Sequence, residues 1–278
     1  MKKLRFTRYI PLCIVAILSI LLGYFTGTLI NGKFFIVDKY GGITKEELIE
    51  DISSISYEGK TPDQLSASDA FIVALYKLHN QENYTRNSLG ELQTSVGVKQ
   101  FIHSKSGKVG KLHFQEVSAY SSMIKKAGKF TYEIGGNIQY QEGSPAGNSL
   151  DSVTWSEKFQ DYTYEEYSNL LGRNPDYEST YIVSSKTAIS SSECKKSNEL
   201  YTYTITLDPT LSTMSYIKEI SFVSNIDGNT VDFTSVTMEF TLDHNFTLIS
   251  QKNCETYTLK YSGIPVTINS VYNITFTY

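Results

Sequence analysis

Four histidines, His79, His103, His113 and His244, are the side chains of this 278-residue chain best suited to metal or proton chemistry. None lies in a His-Glu-x-x-His pattern or at short spacing from a cysteine, so no local signature supports zinc. His103 and His113 flank Ser106-Gly107, a turn dipeptide. A hairpin there would let the two imidazoles face each other as a ligand pair, although exposed polar strand residues are the usual explanation. Glu165-Glu166 has the look of a carboxylate pair, but adjacent helix positions point in different directions, and acids in a first turn serve the helix dipole. Gly107, Gly110 and the lysines around them imitate a phosphate loop without the strand–loop–helix context it needs. No Gly-x-Ser-x-Gly, Walker or dinucleotide motif occurs. These residues predict no catalytic group, no metal site and no cofactor.

The remaining candidates are apolar. Phe130, Tyr132, Ile134, Tyr201, Tyr203, Met238 and Phe240 alternate with polar residues in strand-like runs. Gathered on one face, they would line a cavity for a lipid or other hydrophobic ligand. The competing reading is that they simply fill the core.

Such faces need elements to hold them. Thr44-Lys45-Glu46-Glu47 is a capping box ahead of Leu48, Ile49, Ile52 and Ile55 at helical spacing. Ser66 with Asp69 opens a second helix whose face is Ala70, Phe71, Ala74, Leu75 and Leu78. From about Leu92 to Tyr140 the period is two, with Ser106-Gly107 read as a turn and Gly135-Gly136 as a bulge within one strand. Residues 143–148 read as a loop, Thr163 to Leu171 as a short capped helix ending at Gly172, and Ser212 to Ser224 as a further helix. Tyr201 to Leu207 alternates strictly, and strands are expected over about 232–243, 246–261 and 268–278. The predicted fold is α+β, a curved antiparallel sheet or half-barrel packed on a few helices.

At the N-terminus, Lys2, Lys3, Arg5 and Arg8 precede an uncharged run from Tyr9 to Ile30. A run of this length can span a bilayer as a helix, since about 20 apolar residues suffice. The basic side faces the cytoplasm. The run exceeds the usual core of a cleaved signal, and Tyr24 and Phe25 stand where small residues would be wanted, so retention is favoured over cleavage. The expected organisation is a cytoplasmic tail (1–8), a transmembrane helix (9–30), a juxtamembrane stalk with a short helix (31–60) and an extracytoplasmic α+β domain (61–278).

Of 25 Lys+Arg and 29 Asp+Glu, four cations fall in the tail, leaving the exterior part near −8. That balance disfavours nucleic acid and electrostatic docking on anionic membranes. Tyr is abundant, at 21 residues, as suits a sheet with one wetted face. Cys194 and Cys254 lie outside the membrane, where an oxidising compartment permits a disulfide, and two unpaired thiols are the equal alternative. Three Asn-x-Thr sequons, at Asn83, Asn245 and Asn273, are no more than chance supplies in a chain this rich in Ser and Thr.

The run 203–209, Tyr-Thr-Ile-Thr-Leu-Asp-Pro, precedes a helix and is followed by 236–243, Val-Thr-Met-Glu-Phe-Thr-Leu-Asp, and then by 255–259, Glu-Thr-Tyr-Thr-Leu. This order resembles the extracytoplasmic lipid-carrier fold of the LolA and LppX type over residues 66–278. The resemblance implies a sheet wrapped over helices and a hydrophobic ligand. A retained N-terminal helix would make such a fold a fixed receptor rather than a shuttle. The expectation is therefore a non-enzymatic, single-pass membrane protein whose exterior domain binds a lipid or hydrophobic ligand. The alternative is a structural or interaction module of the cell surface without a ligand. The sequence names no protein partner.

Overall fold

The computed structural model describes residues 39–121, 125–174, 179–224, 227–261 and 264–278. The tail 1–8 and the apolar segment 9–30 lie outside the described residues. Among the described residues, no helix is long and apolar enough to cross a membrane.

Among the described residues, twelve strands form a single antiparallel sheet: β1 (Asn83–Thr94), β2 (Lys99–Val109), β3 (Leu112–Tyr120), β4 (Lys125–Glu133), β5 (Ile138–Pro145), β6 (Val153–Tyr162), β7 (Ala188–Ser191), β8 (Lys195–Ser197), β9 (Leu200–Leu207), β10 (Asp232–Leu242), β11 (Leu248–Tyr261) and β12 (Ile264–Thr277). Their order is β6-β5-β4-β3-β2-β1-β12-β11-β10-β9-β7, with β8 also on β9. Two up-and-down meanders are thus joined where the first strand pairs with the last, from Thr85 opposite Thr277 to Thr94 opposite Ile268.

Among the described residues, four α-helices accompany the sheet: α1 (Lys45–Leu48), α2 (Ala67–His79), α3 (Tyr164–Leu171) and α4 (Met214–Ser224). Local chemistry sets their ends. Thr44 and Glu47 close a capping box on α1, Thr163 and Glu166 close another on α3, and Ser66 accepts from the Asp69 N–H at 3.1 Å to start α2. Gly172 ends α3 at φ +67°, a left-handed cap that glycine adopts without strain.

Register shows which sheet face the helices cover. Phe240 lies opposite Gln251 and Tyr203, and on through Ile274, Ser88, Ser104 and Val117 to Gly128. Directly opposed residues share a face. On that face Phe71 of α2 packs on Phe240 with centroids 5.1 Å apart, and Tyr216 of α4 meets Phe233 at 5.5 Å. Tyr167 of α3 meets Phe130 at 5.0 Å, on the same alternation series. Among the described residues, the apolar core on this face therefore has two main zones. The larger lies over β9–β12 under α2 and α4; the smaller consists of Phe130, Tyr132, Ile138, Tyr140, Tyr167 and Leu171 over β4 and β5 under α3.

Several local expectations are corrected. Ser106-Gly107 is no turn: both lie inside β2, opposite Arg86 and Thr85. A Cβ on Gly107 would come within 2.1 Å of the Tyr84 carbonyl, so this strand crossing needs glycine. The turn lies at Gly110, φ +59°. Gly135-Gly136 is the hairpin turn between β4 and β5 rather than a bulge, and residues 143–145 continue β5. β1 begins at Asn83, well before Leu92, and β6 stands at the sheet edge. In the segment read as stalk, Leu48 is buried with Ile182 and Met214, while Ile52, Ile55 and Tyr57 pack against the larger core.

Candidate functional site

The predicted cavity residues do not come together. Phe130 and Tyr132 belong to the zone under α3, whereas Tyr201, Tyr203, Met238 and Phe240 belong to the zone under α2. Ile134 is 62 % exposed next to the β4–β5 turn. In each zone neighbouring rings are in contact: Tyr203 stacks on Phe240 at 5.4 Å, and Phe130 meets Tyr140 at 4.7 Å. The Tyr203 hydroxyl is also engaged, donating to the Pro62 carbonyl at 2.6 Å.

Between the zones, the helix face of β1, β2 and β3 carries a different set of side chains. Arg86, Ser106 and Gln115 form one row across the strands; Ser88, Ser104 and Val117 form the next; Gly90, Ile102 and Ala119 follow. Ile102, Ser104, Ser106, Gln115 and Val117 are each half-buried. Gln115 Oε1 accepts from the Tyr167 hydroxyl at 3.4 Å, which ties the strip to α3. Arg173, just beyond α3, reaches Glu219 of α4 through Nε and Nη2, each 3.3 Å from Oε2. The strip is thus floored by mixed polar and apolar side chains and flanked by two helices pinned to each other.

A second polar cluster lies deeper in the larger zone. Glu255 on β11 is 2 % exposed, and both carboxylate oxygens are engaged. Tyr181 donates to Oε2, and Tyr216 of α4 donates to Oε1 at 3.2 Å. Burial pushes the Glu255 carboxyl up to about 7, against the opposing pull of those hydroxyls. Closed off by its own partners, this group holds α4 and the 181 loop to the sheet and has no open side for a substrate.

The histidines are separated. His113 lies opposite Lys108 and Tyr132 on the helix face and stacks on Tyr132 at 5.2 Å. His103 lies opposite Ser118 on the other face, where its Nδ1 accepts from the Leu150 N–H at 3.2 Å. Glu166 is occupied by its capping box, and the Thr163 hydrogen bonds hold its carboxyl below the usual range. No group of three His, Cys, Asp or Glu residues that could hold a metal ion occurs among the described residues. Cys194 and Cys254 are free thiols. Cys194 packs against the apolar zone on the helix face, while Cys254 lies opposite Thr237 and Val271 on the outer face, so the sheet itself separates them.

Arg86, Arg173, Glu219, Tyr181 and Tyr216 escape a reading based on motifs. The one available signal was Arg86 itself, a charge in an i, i+2 series with Ser88, Gly90 and Leu92, legible only once 83–94 is recognised as a strand.

No family model matches the chain, and no curated protein matches it. Among solved structures it is similar to a LolA superfamily protein, NE2245 from Nitrosomonas europaea, at 9 % identity and a TM-score of 0.24, over 77 % of this chain and 92 % of that one. It is also similar to a porin-like protein from Bacteroides uniformis at 11 % identity and a TM-score of 0.15, over 70 % and 96 % of the two chains. Superpositions this loose carry no argument about function. The large antiparallel sheet with few helices is itself the architecture that the alternating runs 203–209, 236–243 and 255–259 led one to expect.

Proposed function

We propose that this chain is a non-catalytic binding protein, tethered to the cell membrane through residues 9–30, with its folded domain outside the cell and its N-terminus in the cytoplasm. The domain binds an amphipathic, lipid-like ligand along the strip over β1–β3. One observation carries the reading: the helix face is closed by packed rings at both flanks, but in the middle Ile102, Ser104, Ser106, Gln115 and Val117 are only half-buried, beside the buried Ser88 and Ala119. A packed core alone would favour an uninterrupted apolar face there. The apolar side chains suit an acyl or other hydrophobic part, and the serines and Gln115 suit its polar end.

The rival reading is an interaction module without a ligand. It is favoured by the tight closure of both zones, Phe71 on Phe240 and Tyr167 on Phe130. Native mass spectrometry of the full chain, released from membranes into a mild detergent with added lipid, separates the two. Binding predicts adducts of lipid mass that are lost in Ser104→Trp, whose indole would fill the strip. A clean unliganded mass for the wild type across lipid preparations would sustain the rival.

A further inference from the structure

We propose that Arg86 recognises an oxyanion, so that the ligand of the strip carries a phosphate or carboxylate at the end that meets β1. The inference rests on the ligand-binding reading and names the chemistry of one end of that ligand. Arg86 points to the helix face from the first third of β1, opposite Ser106 on β2 and Phe276 on β12. Its guanidinium makes no ion pair among the described residues. Arg173 lies close enough to repel it, and Glu219, the carboxylate that acts on both, is already engaged by Arg173 at 3.3 Å. Among the described residues, Glu219 is thus the carboxylate whose charge acts on both guanidinium groups, and its ion pair is with Arg173 rather than with Arg86.

An arginine does not escape this by losing its proton, because its pKa is too high. Burial, reinforced by Arg173, holds the Arg86 pKa below its ordinary value, so its half-buried cation is less well solvated than one on the surface. A serine at this position, as at Ser88 and Ser104 in the next row, would serve the fold without that cost. A ligand oxyanion relieves it, because guanidinium and phosphate or carboxylate match in a two-pronged, charge-assisted hydrogen bond. Ser106 opposite adds a hydroxyl. Gln115, whose Oε1 already accepts from Tyr167, has its amide N–H groups to donate.

Isothermal titration of the full chain in non-ionic detergent tests this with three soluble probes: dioctanoyl phosphatidate, dioctanoylglycerol and inorganic phosphate. The first two share their tails and differ in the phosphate. The expected result is binding of the phosphatidate about tenfold or more tighter than the diacylglycerol, a gap that closes in Arg86→Gln and is partly kept in Arg86→Lys. Inorganic phosphate binding as tightly as the phosphatidate would support the oxyanion site and assign it to a free anion rather than a lipid headgroup. Equal affinity for the two lipids in the wild type with no heat from phosphate, or a gap unchanged in Arg86→Gln, would overturn the proposal. Binding of dioctanoylglycerol that Ser104→Trp abolishes, with no dependence on Arg86, would leave the binding function standing and remove only the anion. Loss of that dependence on Ser104 as well would remove both.

Discussion

The hydroxyl of Tyr181 donates its hydrogen to Oε2 of Glu255, joining the segment before β7 to the centre of β11 across the helix face. With Tyr216 on the other carboxylate oxygen, this bond places α4 over the larger apolar zone. From there Glu219 reaches Arg173 at the end of α3. The chain of contacts runs from the buried carboxylate to the two helices that flank the strip, so the stability of one bears on the geometry of the other.

Glu255 gives the fold a dependence on pH. Its folded pKa, about 7, lies above the ordinary value of 4.5 because it is buried. Between those two values the unfolded chain loses the proton and the folded chain keeps it, so the folded state binds more protons and stability falls as pH rises. The contribution is full below about 4.5 and lost by about 7, on the order of 3 kcal/mol. Urea unfolding at steps from pH 4.5 to 8 is expected to show this decline in the wild type and a flatter profile in Glu255→Gln. Equal slopes in the two proteins would contradict it.

Tyr203→Phe removes a buried hydroxyl that donates to the Pro62 carbonyl at 2.6 Å. The ring contact with Phe240 is retained. The expected loss is about 1–2 kcal/mol, read from the urea midpoint, because a buried acceptor loses its donor. No measurable change would mean that Pro62 finds another partner.

Gly107→Ala places a methyl against the Tyr84 carbonyl, 2.1 Å from the ideal Cβ position, with backbone rather than a flexible side chain as the obstacle. The β1–β2 pairing must shift, at a cost of about 1–3 kcal/mol. Thermal unfolding followed by circular dichroism checks the loss, and Gly97→Ala is not the matched control because its φ of +82° strains it independently.

Arg86→Gln removes a half-buried cation that feels the repulsion of Arg173. Without ligand, the variant is expected to melt at or above the wild-type temperature. A fall of several degrees would show that the protein supplies the counter-charge itself, and that Arg86 serves the fold.

The parts of the fold legible in the sequence are those whose inward positions are apolar. β9 alternates Tyr201, Tyr203, Ile205 and Leu207 inward with threonines outward, and β10 does the same with Val236, Met238, Phe240 and Leu242. α2 and α3 announced themselves through Ser66 and Thr163 caps. β1 did not, because its inward residues are Arg86, Ser88 and Gly90, which invert the expected pattern. Ser106-Gly107 imitated a turn for a related reason: small residues stand where strands approach closely and the face is left partly open. Thus the strand whose start sequence periodicity misses, β1, is one of the three that form the candidate site, whereas β2 and β3 fall within the stretch of period two. The aromatic residues that looked like a cavity lining belong to two separate packed zones, a distinction set by strand order and invisible to alternation.

The most direct test of the central claim is photo-crosslinking of the full chain in membranes with a diazirine-bearing acyl phosphatidate, followed by peptide mapping. Binding along the strip predicts labels concentrated on β1–β3 between Tyr84 and Val117 and on the facing residues of α3 and α4, displaced by unlabelled phosphatidate and lost in Ser104→Trp. Labels confined to outer-face residues such as Leu89 and Val271, or scattered without competition, would contradict it.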